Sequence, residues 1–366
     1  MKIAIITFHR AVNYGAVLQG WALQEKLEKL GHTVDVLNYY NDTTEQVYRA
    51  FAWNGRSGSF LSFIKECIYY PFKLERKRRF MSFIKNNLHL TRPLNATNIK
   101  KVEHEYDLFI TGSDQVWNNK LTGFDKTYFL NFVTKRNKKA SYAVSLGMKE
   151  IPTEYYAEYK KLIGDIEYLS MREMTGKHII DSLTGRNSCV CLDPTLLLER
   201  NNWTRFITPL KSARKYILVY TLNPVCQMMN RVVELAEKEH IEIWYICNSL
   251  YNLKDYRNIK CLKHILTPTP GEFVSLFANA TYVATNSFHG TVFSIINHKC
   301  FMAEVEYGTH RNNRIEELLH NLELDLQMIE VNGDWNKIID WDSVDKKLKY
   351  LQHDSLAYLK RIAKCD

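Results

Sequence analysis

The chain has 366 residues, of which 46% are hydrophobic and 24% charged, an ordinary balance for a folded protein and enough length for two domains with separate cores. Its eight cysteines are scattered, with one C-x-C at Cys189 and Cys191 and no C-x-x-C pair, which excludes a zinc site or a disulfide framework as the organising principle. The net charge of +9 leaves anionic partners open. No run reaches the roughly 18 apolar residues of a membrane span, and Met1–Thr7 is too short for the apolar core of a signal peptide, so the reducing cytoplasm is the expected compartment.

Lys2–Thr7 reads as a buried strand, followed by a polar loop and a helix from about Ala16 to Leu30, with Leu18, Trp21, Ala22 and Leu27 at helical spacing and Gly31 as its stop. Val34–Leu37 resumes as a strand, completing a βαβ unit, the sign of a parallel sheet. Further strands are expected at Leu108–Thr111, Ser141–Val144, Tyr168–Met171 and Val190–Leu192, with a helix at Glu154–Ile163. Asp193-Pro194 punctuates the chain, and Glu199–Arg214 reads as a link. The alternation then repeats: strand Tyr216–Tyr220, helix Val225–Glu239, strand Ile241–Ile246, helix Gly271–Ala278, strand Tyr282–Thr285, helix Val292–Asn297, strand Phe301–Val305, helix Arg314–Leu322 and a long helix Ser343–Ala363. The expected architecture is α/β, two Rossmann-like doubly wound domains facing a cleft: residues 1–198, residues 199–340, and a terminal helix over 341–366 that packs back on the first domain.

Ligands of open α/β sheets bind beyond the carboxyl ends of the strands, so four loops draw interest. In Asn13–Gln19 (NYGAVLQ), Asn13 is placed to cap a helix, Gly15 allows close backbone approach or a positive φ, and Gln19 lies one turn in. The G-x-G-x-x-G dinucleotide fingerprint is absent. In Thr111–Asn118 (TGSDQVWN), Asp114 beside Ser113 is either a group that orients or deprotonates a sugar hydroxyl or a helix N-cap; Trp117 either stacks on a sugar or belongs to the core. In Ser170–Glu173 (SMRE), Arg172 at the end of a buried strand needs an anion, which is a substrate or an internal partner such as Asp193. In Asn286–Gly290 (NSFHG), His289 stands with Asn286, Ser287 and Gly290 ahead of a helix whose first N–H groups and dipole favour anions. Arg311 and Arg314 follow the next strand and add positive charge.

The segment Phe60–Leu90 interleaves aromatic residues with Lys65, Lys73, Arg76, Lys77, Arg78 and Arg79. It suits an anionic membrane surface or a helix whose aromatic face packs on its domain. No nucleic-acid recognition motif accompanies it, so nucleic acid is not an expected partner. Nor is a metal-ligand cluster visible.

Taken in order, NYGAVLQ, TGSDQVWN, SMRE, LDPTLLL and TNSFHG resemble the polysaccharide pyruvyl transferase family, over roughly Met1 to Leu322. TGSDQVWN is the most specific of these motifs. The resemblance implies a fold like that of the GT-B glycosyltransferases. It also implies transfer of the enolpyruvyl group of phosphoenolpyruvate to a capsular or exopolysaccharide glycan, with no further cofactor, leaving a pyruvate ketal. On that resemblance Arg172 clamps the donor, His289 supplies or relays a proton, Asp114 acts on an acceptor hydroxyl, and Asn13 and Gly15 line the acceptor side. The acceptor is expected on a polyprenyl diphosphate carrier at the inner face of the cell membrane. In one respect the chain departs from the family pattern: where Arg-x-His is expected, Ser287-Phe288-His289 stands, and Arg311, Arg314 or Lys299 are the cations at hand to replace the arginine. The alternatives are a sugar-nucleotide-dependent glycosyltransferase on the same scaffold and a non-catalytic glycan-binding protein of the assembly machinery.

Overall fold

A computed structural model describes residues 1–51, 60–209, 214–223, 227–248, 256, 258–305, 313–329, 335 and 338–364. Two parallel sheets organise them. The first contains β1 (Lys2–Ile6), β2 (Thr33–Val36), β3 (Leu108–Asp114), β4 (Lys139–Val144), β5 (Ser170–Met171) and β6 (Cys189–Val190), in the order β2-β1-β3-β4-β5-β6. The second contains β7 (Tyr216–Tyr220), β8 (Glu242–Cys247), β9 (Leu262–Leu266), β10 (Tyr282–Thr285) and β11 (Cys300–Ala303), in the order β11-β10-β7-β8-β9. The helices are α1 (Tyr14–Lys29), α2 (Asp42–Val47), α3 (Phe60–Asn87), α4 (Asn119–Thr122), α5 (Tyr156–Gly164), α6 (Met174–Thr184), α7 (Arg200–Trp203), α8 (Gln227–Glu239), α9 (Pro270–Asn279), α10 (Phe288–Ile296), α11 (Asn313–Asn321) and α12 (Trp341–Ile362).

Central parallel strands are covered on both faces, so they read as unbroken apolar runs. KIAII and YILVY in β1 and β7 are of this kind, and every residue of β7 is buried. The helix starts are written locally: Asn13 caps α1, its Oδ1 accepting from Ala16 N at 3.2 Å, and Thr269 forms a capping box with Glu272 at the head of α9. Sequence alone passes over α6 and β9. The second of these is a half-exposed edge strand, LKHIL, whose alternation carries little apolar signal. The helix expected from Val292 begins a turn earlier, at Phe288. Val225, expected to open another helix, lies outside the described residues, where α8 is traced from Gln227.

The chain divides into two compact units, residues 1–48, 84–198 and 347–366 in the first, and 49–83 and 199–346 in the second. Residues 49–83 therefore leave the first domain to which their position in the chain assigned them. The reason is packing within the second unit: Phe83 lies 5.2 Å from Phe206 ring to ring, Arg79 pairs with Glu272 at 2.7 Å, and Arg76 donates to Asn248 O. Most of α12 groups with the first unit, where Tyr358 Oη donates to Ser141 O at 2.8 Å and Ser355 Oγ accepts from Leu192 N at 2.9 Å.

Both sheets reverse their strand order once, between β1 and β3 and between β10 and β7. At such a switch point the loops leaving adjacent strands diverge to opposite faces and leave a crevice at the carboxyl edge.

Candidate active site

In the first unit the switch point is closed by side chains. Gln19 donates from Nε2 to Thr7 Oγ1 at 2.7 Å and to Ala16 O at 2.8 Å, while its Oε1 accepts from Ser113 N at 3.1 Å; Thr7 Oγ1 in turn donates to Ser113 O at 3.1 Å. Gln19 is wholly buried, so the structure gives it a positioning role and no surface for a substrate. Asn13 spends its side-chain oxygen on the cap of α1. Gly15 lies in the first turn of that helix and is not among the residues with positive φ, so the conformational reason expected for it does not apply.

The segment Gly112–Asp114 is where the strand departs from ordinary geometry. Gly112 has φ +115°, and a Cβ there would stand 2.3 Å from Tyr142 O, so only glycine fits. Asp114 follows with φ 74°, a left-handed conformation that is uncommon for a residue with a side chain and clusters at functional sites. Asp114 caps no helix; the nearest, α4, is capped by Asn118. Trp117 is fully buried, stacked on Phe129 at 5.6 Å, with its indole N–H on Tyr128 O, and belongs to the core.

Arg172 follows β5, with its side chain 2% exposed. Its Nη2 donates to Ser113 Oγ and lies 3.0 Å from Asp193 Oδ2, and Nη1 is 3.9 Å from Asp114 Oδ1. The internal ion pair with Asp193 is thus realised. Asp193 is itself anchored, its Oδ1 accepting from Thr195 N at 3.0 Å and Thr195 Oγ1 at 2.6 Å. Ser113 donates onward to Ala143 O at 3.0 Å. One guanidinium facing two carboxylates leaves this cluster short of positive charge, and it suits a ligand that donates hydrogen bonds better than an anion.

In the second unit the switch point carries the NSFHG segment. Asn286 Oδ1 accepts from Leu222 N at 2.8 Å and Nδ2 donates to Asn223 O at 3.2 Å, so its amide ties the end of β10 to the loop after β7. Thr285 Oγ1 makes a parallel tie to Tyr220 O at 2.7 Å. Ser287 caps α10, its Oγ accepting from Gly290 N at 3.4 Å. Gly290 is required by close approach, since a Cβ would stand 2.2 Å from Thr285 Oγ1. His289 is therefore the second residue of a buried helix, 8% exposed, with its ring edge-on to Phe288 at 5.2 Å.

Of the cations expected near His289, Arg314 in the first turn of α11 places its guanidinium 5.7 Å from the Phe288 ring centre. Lys299 does not reach this edge. It precedes β11 and so stands at the opposite, amino edge of the same sheet, where burial and Arg200 lower its pKa to about 8. Arg311 lies outside the described residues. Among the described residues no group of three His, Cys, Asp or Glu side chains is placed to hold a metal ion.

One buried titratable group at the carboxyl edge of the first sheet escapes the sequence reading. His9, three residues beyond β1, is 1% exposed, with Nδ1 3.2 Å from Thr7 O. Burial, helped by the neighbouring Arg10, lowers its pKa to about 4.

Two Rossmann-like parallel sheets, each with its notable side chains at the switch point, define an α/β fold like that of the GT-B proteins. The chain matches the polysaccharide pyruvyl transferase family over residues 13–303 and belongs to it; it is a transferase of polysaccharide biosynthesis. Comparison with curated proteins finds no match. Among solved structures it is similar to a candidate UDP-N-acetylglucosamine 2-epimerase of Listeria monocytogenes, with TM-score 0.55, 11% identity, and coverage of 100% of this chain and 97% of that one. It is also similar to S. aureus MnaA solved with UDP (TM-score 0.50, 13% identity, 98% and 89% covered). A third likeness is to the UDP-GlcNAc 2-epimerase of Neisseria meningitidis bound to UDP-GlcNAc (TM-score 0.50, 10% identity, 98% and 100% covered). At these identities the likeness is one of fold.

Removing Arg172 strands Asp193 in a site with 0% side-chain exposure, so Arg172→Ala is expected to cost about 3–5 kcal/mol. Adding Asp193→Asn to Arg172→Ala should return part of that loss, measured as a double-mutant cycle in urea. His9 gives a separate signature. Its folded pKa of about 4 lies below the ordinary 6.5, so the unfolded chain binds the extra proton as pH falls between those values. Stability is accordingly full above pH 6.5 and declines toward pH 4, by about 3 kcal/mol for this group. Urea melts of His9→Phe should lack that component of the slope.

Proposed function

We propose that this pyruvyl transferase uses phosphoenolpyruvate as donor and forms a pyruvate ketal on two hydroxyls of one acceptor sugar. The observation that carries the reading is the head of α10. There a buried helix N-terminus, His289 and the Arg314 guanidinium over Phe288 bring a proton carrier and positive charge to one place. The donor's phosphate and carboxylate bind at this cluster. The acid-rich cluster of Asp114, Asp193 and Arg172 receives the hydroxyl-bearing acceptor, with Arg172 and Ser113 fixing the carboxylates.

His289 donates a proton to the methylene carbon of the donor, turning it into a methyl group. One acceptor hydroxyl adds to the adjacent carbon. The C–O bond to phosphate then breaks and the second hydroxyl closes the ketal. Two hydroxyl protons are lost in all: one replaces the proton given to carbon and the other leaves on inorganic phosphate. Asp114 accepts the first of them. The strained backbone at Asp114 supports that assignment, because such strain is retained where a carboxylate must be aimed.

The acceptor is proposed to be carried on a polyprenyl diphosphate at the inner face of the cell membrane. Among the described residues no helix is long and apolar enough to cross a membrane. Instead α3 leaves Phe60, Ile64, Ile68 and Leu74 exposed, at 75, 39, 63 and 46%, in a stretch that also carries Lys65 and Lys77, while Lys73 and Arg78 are paired with Glu66 and Glu75. An exposed apolar face with cations in the same stretch supports contact with anionic lipid, a well-placed cation contributing about 1 kcal/mol. Arg79 is given to Glu272 and takes no part.

Incubation with phosphoenolpyruvate and a panel of galactose- and mannose-containing acceptors should add the mass of pyruvate less one water and release phosphate. His289→Ala and Asp114→Asn should abolish the gain, and Arg314→Ala should raise KM for phosphoenolpyruvate about tenfold or more. Thermal stabilisation by a nucleotide sugar but not by phosphoenolpyruvate would replace this reading with a glycosyltransferase. For the membrane, Ile64→Glu with Ile68→Glu should release the protein from vesicles of mixed neutral and anionic lipid. Undiminished co-sedimentation of the double variant would refute the contact.

A further inference from the structure

Asp114 holds a left-handed backbone, φ 74°, which a residue with a side chain keeps only where its surroundings over-determine it. What over-determines it here comes from the next two strands of the same sheet. Asp114 pairs with Val144 in the ladder between β3 and β4. Ser145, the residue after β4, donates its backbone N–H to Asp114 O at 3.0 Å, and Val144 O accepts from Arg172 N at 3.0 Å. The end of β4 is thus bonded to the backbones of both the proposed base and the arginine whose guanidinium faces it. Where Asp114 points depends on where the turn Ser145-Leu146-Gly147 is fixed.

Two ties fix that turn. From the segment after β3, Asn118 Nδ2 donates to Gln115 Oε1 at 3.0 Å and to Gly147 O at 3.4 Å. From the segment after β5 comes Glu173, whose Oε1 accepts from Ser145 Oγ at 2.9 Å and from Leu146 N at 3.3 Å. Ser145 is fully buried and Glu173 is 5% exposed, so water does not compete for these bonds. Glu173 stands at the N-cap position of α6, yet its side chain makes no bond to the head of that helix. A carboxyl group so placed ordinarily serves its own helix; this one is turned to the neighbouring loop. Gly176 in α6 leaves it room, since a Cβ there would stand 3.3 Å from Glu173 Oε1.

We infer that Glu173 is a positioning residue for the transfer: through Ser145 it holds Asp114 at the angle from which that carboxylate receives the acceptor's proton. The inference rests on the role proposed above for Asp114. The part of Glu173 that matters is Oε1 as an acceptor. Glutamine offers an amide oxygen to the same two donors and keeps the function, whereas leucine is similar in size, has no acceptor and loses it.

Turnover of phosphoenolpyruvate by the full-length protein, with an acceptor that responds, separates positioning from a purely structural role. Glu173→Leu should lower kcat by about tenfold to a hundredfold while KM for phosphoenolpyruvate stays within about twofold of wild type, because a misaimed group slows the chemistry and not donor binding. Glu173→Gln should keep kcat within about threefold of wild type. Crystal structures of the two variants give a second readout: Asp114 should leave the left-handed region in Glu173→Leu and keep it in Glu173→Gln. Wild-type kcat in Glu173→Leu, an equal loss in both variants, or an unmoved Asp114 in Glu173→Leu would overturn the proposal. Should melting curves show that Glu173→Leu does not fold, Ser145→Ala, which removes the hydroxyl donor, is judged by the same criteria. If wild type turns over no phosphoenolpyruvate with any acceptor, the donor reading falls, and the crystal comparison alone decides whether Glu173 holds Asp114.

Discussion

The buried guanidinium of Arg172 is the interaction on which the first unit turns. Withdrawing a cation from water costs several kcal/mol, and in the interior this is offset only by a well-placed anion with its remaining lone pairs satisfied. Asp193 meets that demand: one oxygen faces Arg172 and the other is held by Thr195. The pair binds the end of β5 to the turn after β6, and Ser113 adds the end of β3. Three motifs that lie 59 and 80 positions apart in pairs are therefore joined in one buried cluster. The same neutralisation decides what the cluster can bind, since a cation already facing two carboxylates offers an incoming anion little.

Much of the fold is legible in the sequence because parallel strands are apolar on both faces. YILVY and TYVAT advertise themselves, and so do the helices that separate them. What is illegible follows from physics as well. The β9 strand is half exposed and carries no clear pattern. The start of α10 hides because Phe288-His289-Gly290 has poor helix propensity, which the capping by Ser287 and the packing of all nine helix residues override. The membership of residues 49–83 is decided by a ring contact and two arginine bonds, none of them local.

The site was legible as a set of loops and not as a set of roles. Strand ends in an α/β fold locate the edge where ligands bind, so Asp114, Arg172 and His289 could be singled out from position alone. Whether an amide faces a ligand or the protein cannot be read that way. Gln19 and Asn286, both in loops singled out as places where ligands bind, spend their amides on Ser113, Ala16, Thr7 and the backbone at Leu222 and Asn223. His9 was missed for the converse reason. In FHRAVN it reads as a polar loop residue, and only the fold shows that its imidazole is withdrawn from water.

Charge explains why a family motif can change without the site losing its logic. A cation beside His289 need not come from the turn that carries the histidine, because Coulombic attraction depends on distance and burial and not on chain position. Ser287 gives the turn a helix cap, a role an arginine could not fill, and the positive charge arrives instead from α11, with Arg314 over Phe288. Capping and charge are thereby divided between two residues. The first fixes where the N–H groups of α10 point, and under the proposed function the second supplies the field that an anionic donor would meet there. On this account Ser287→Arg would not improve the site: it would remove the cap, costing about 1 kcal/mol, and set a second cation against Arg314.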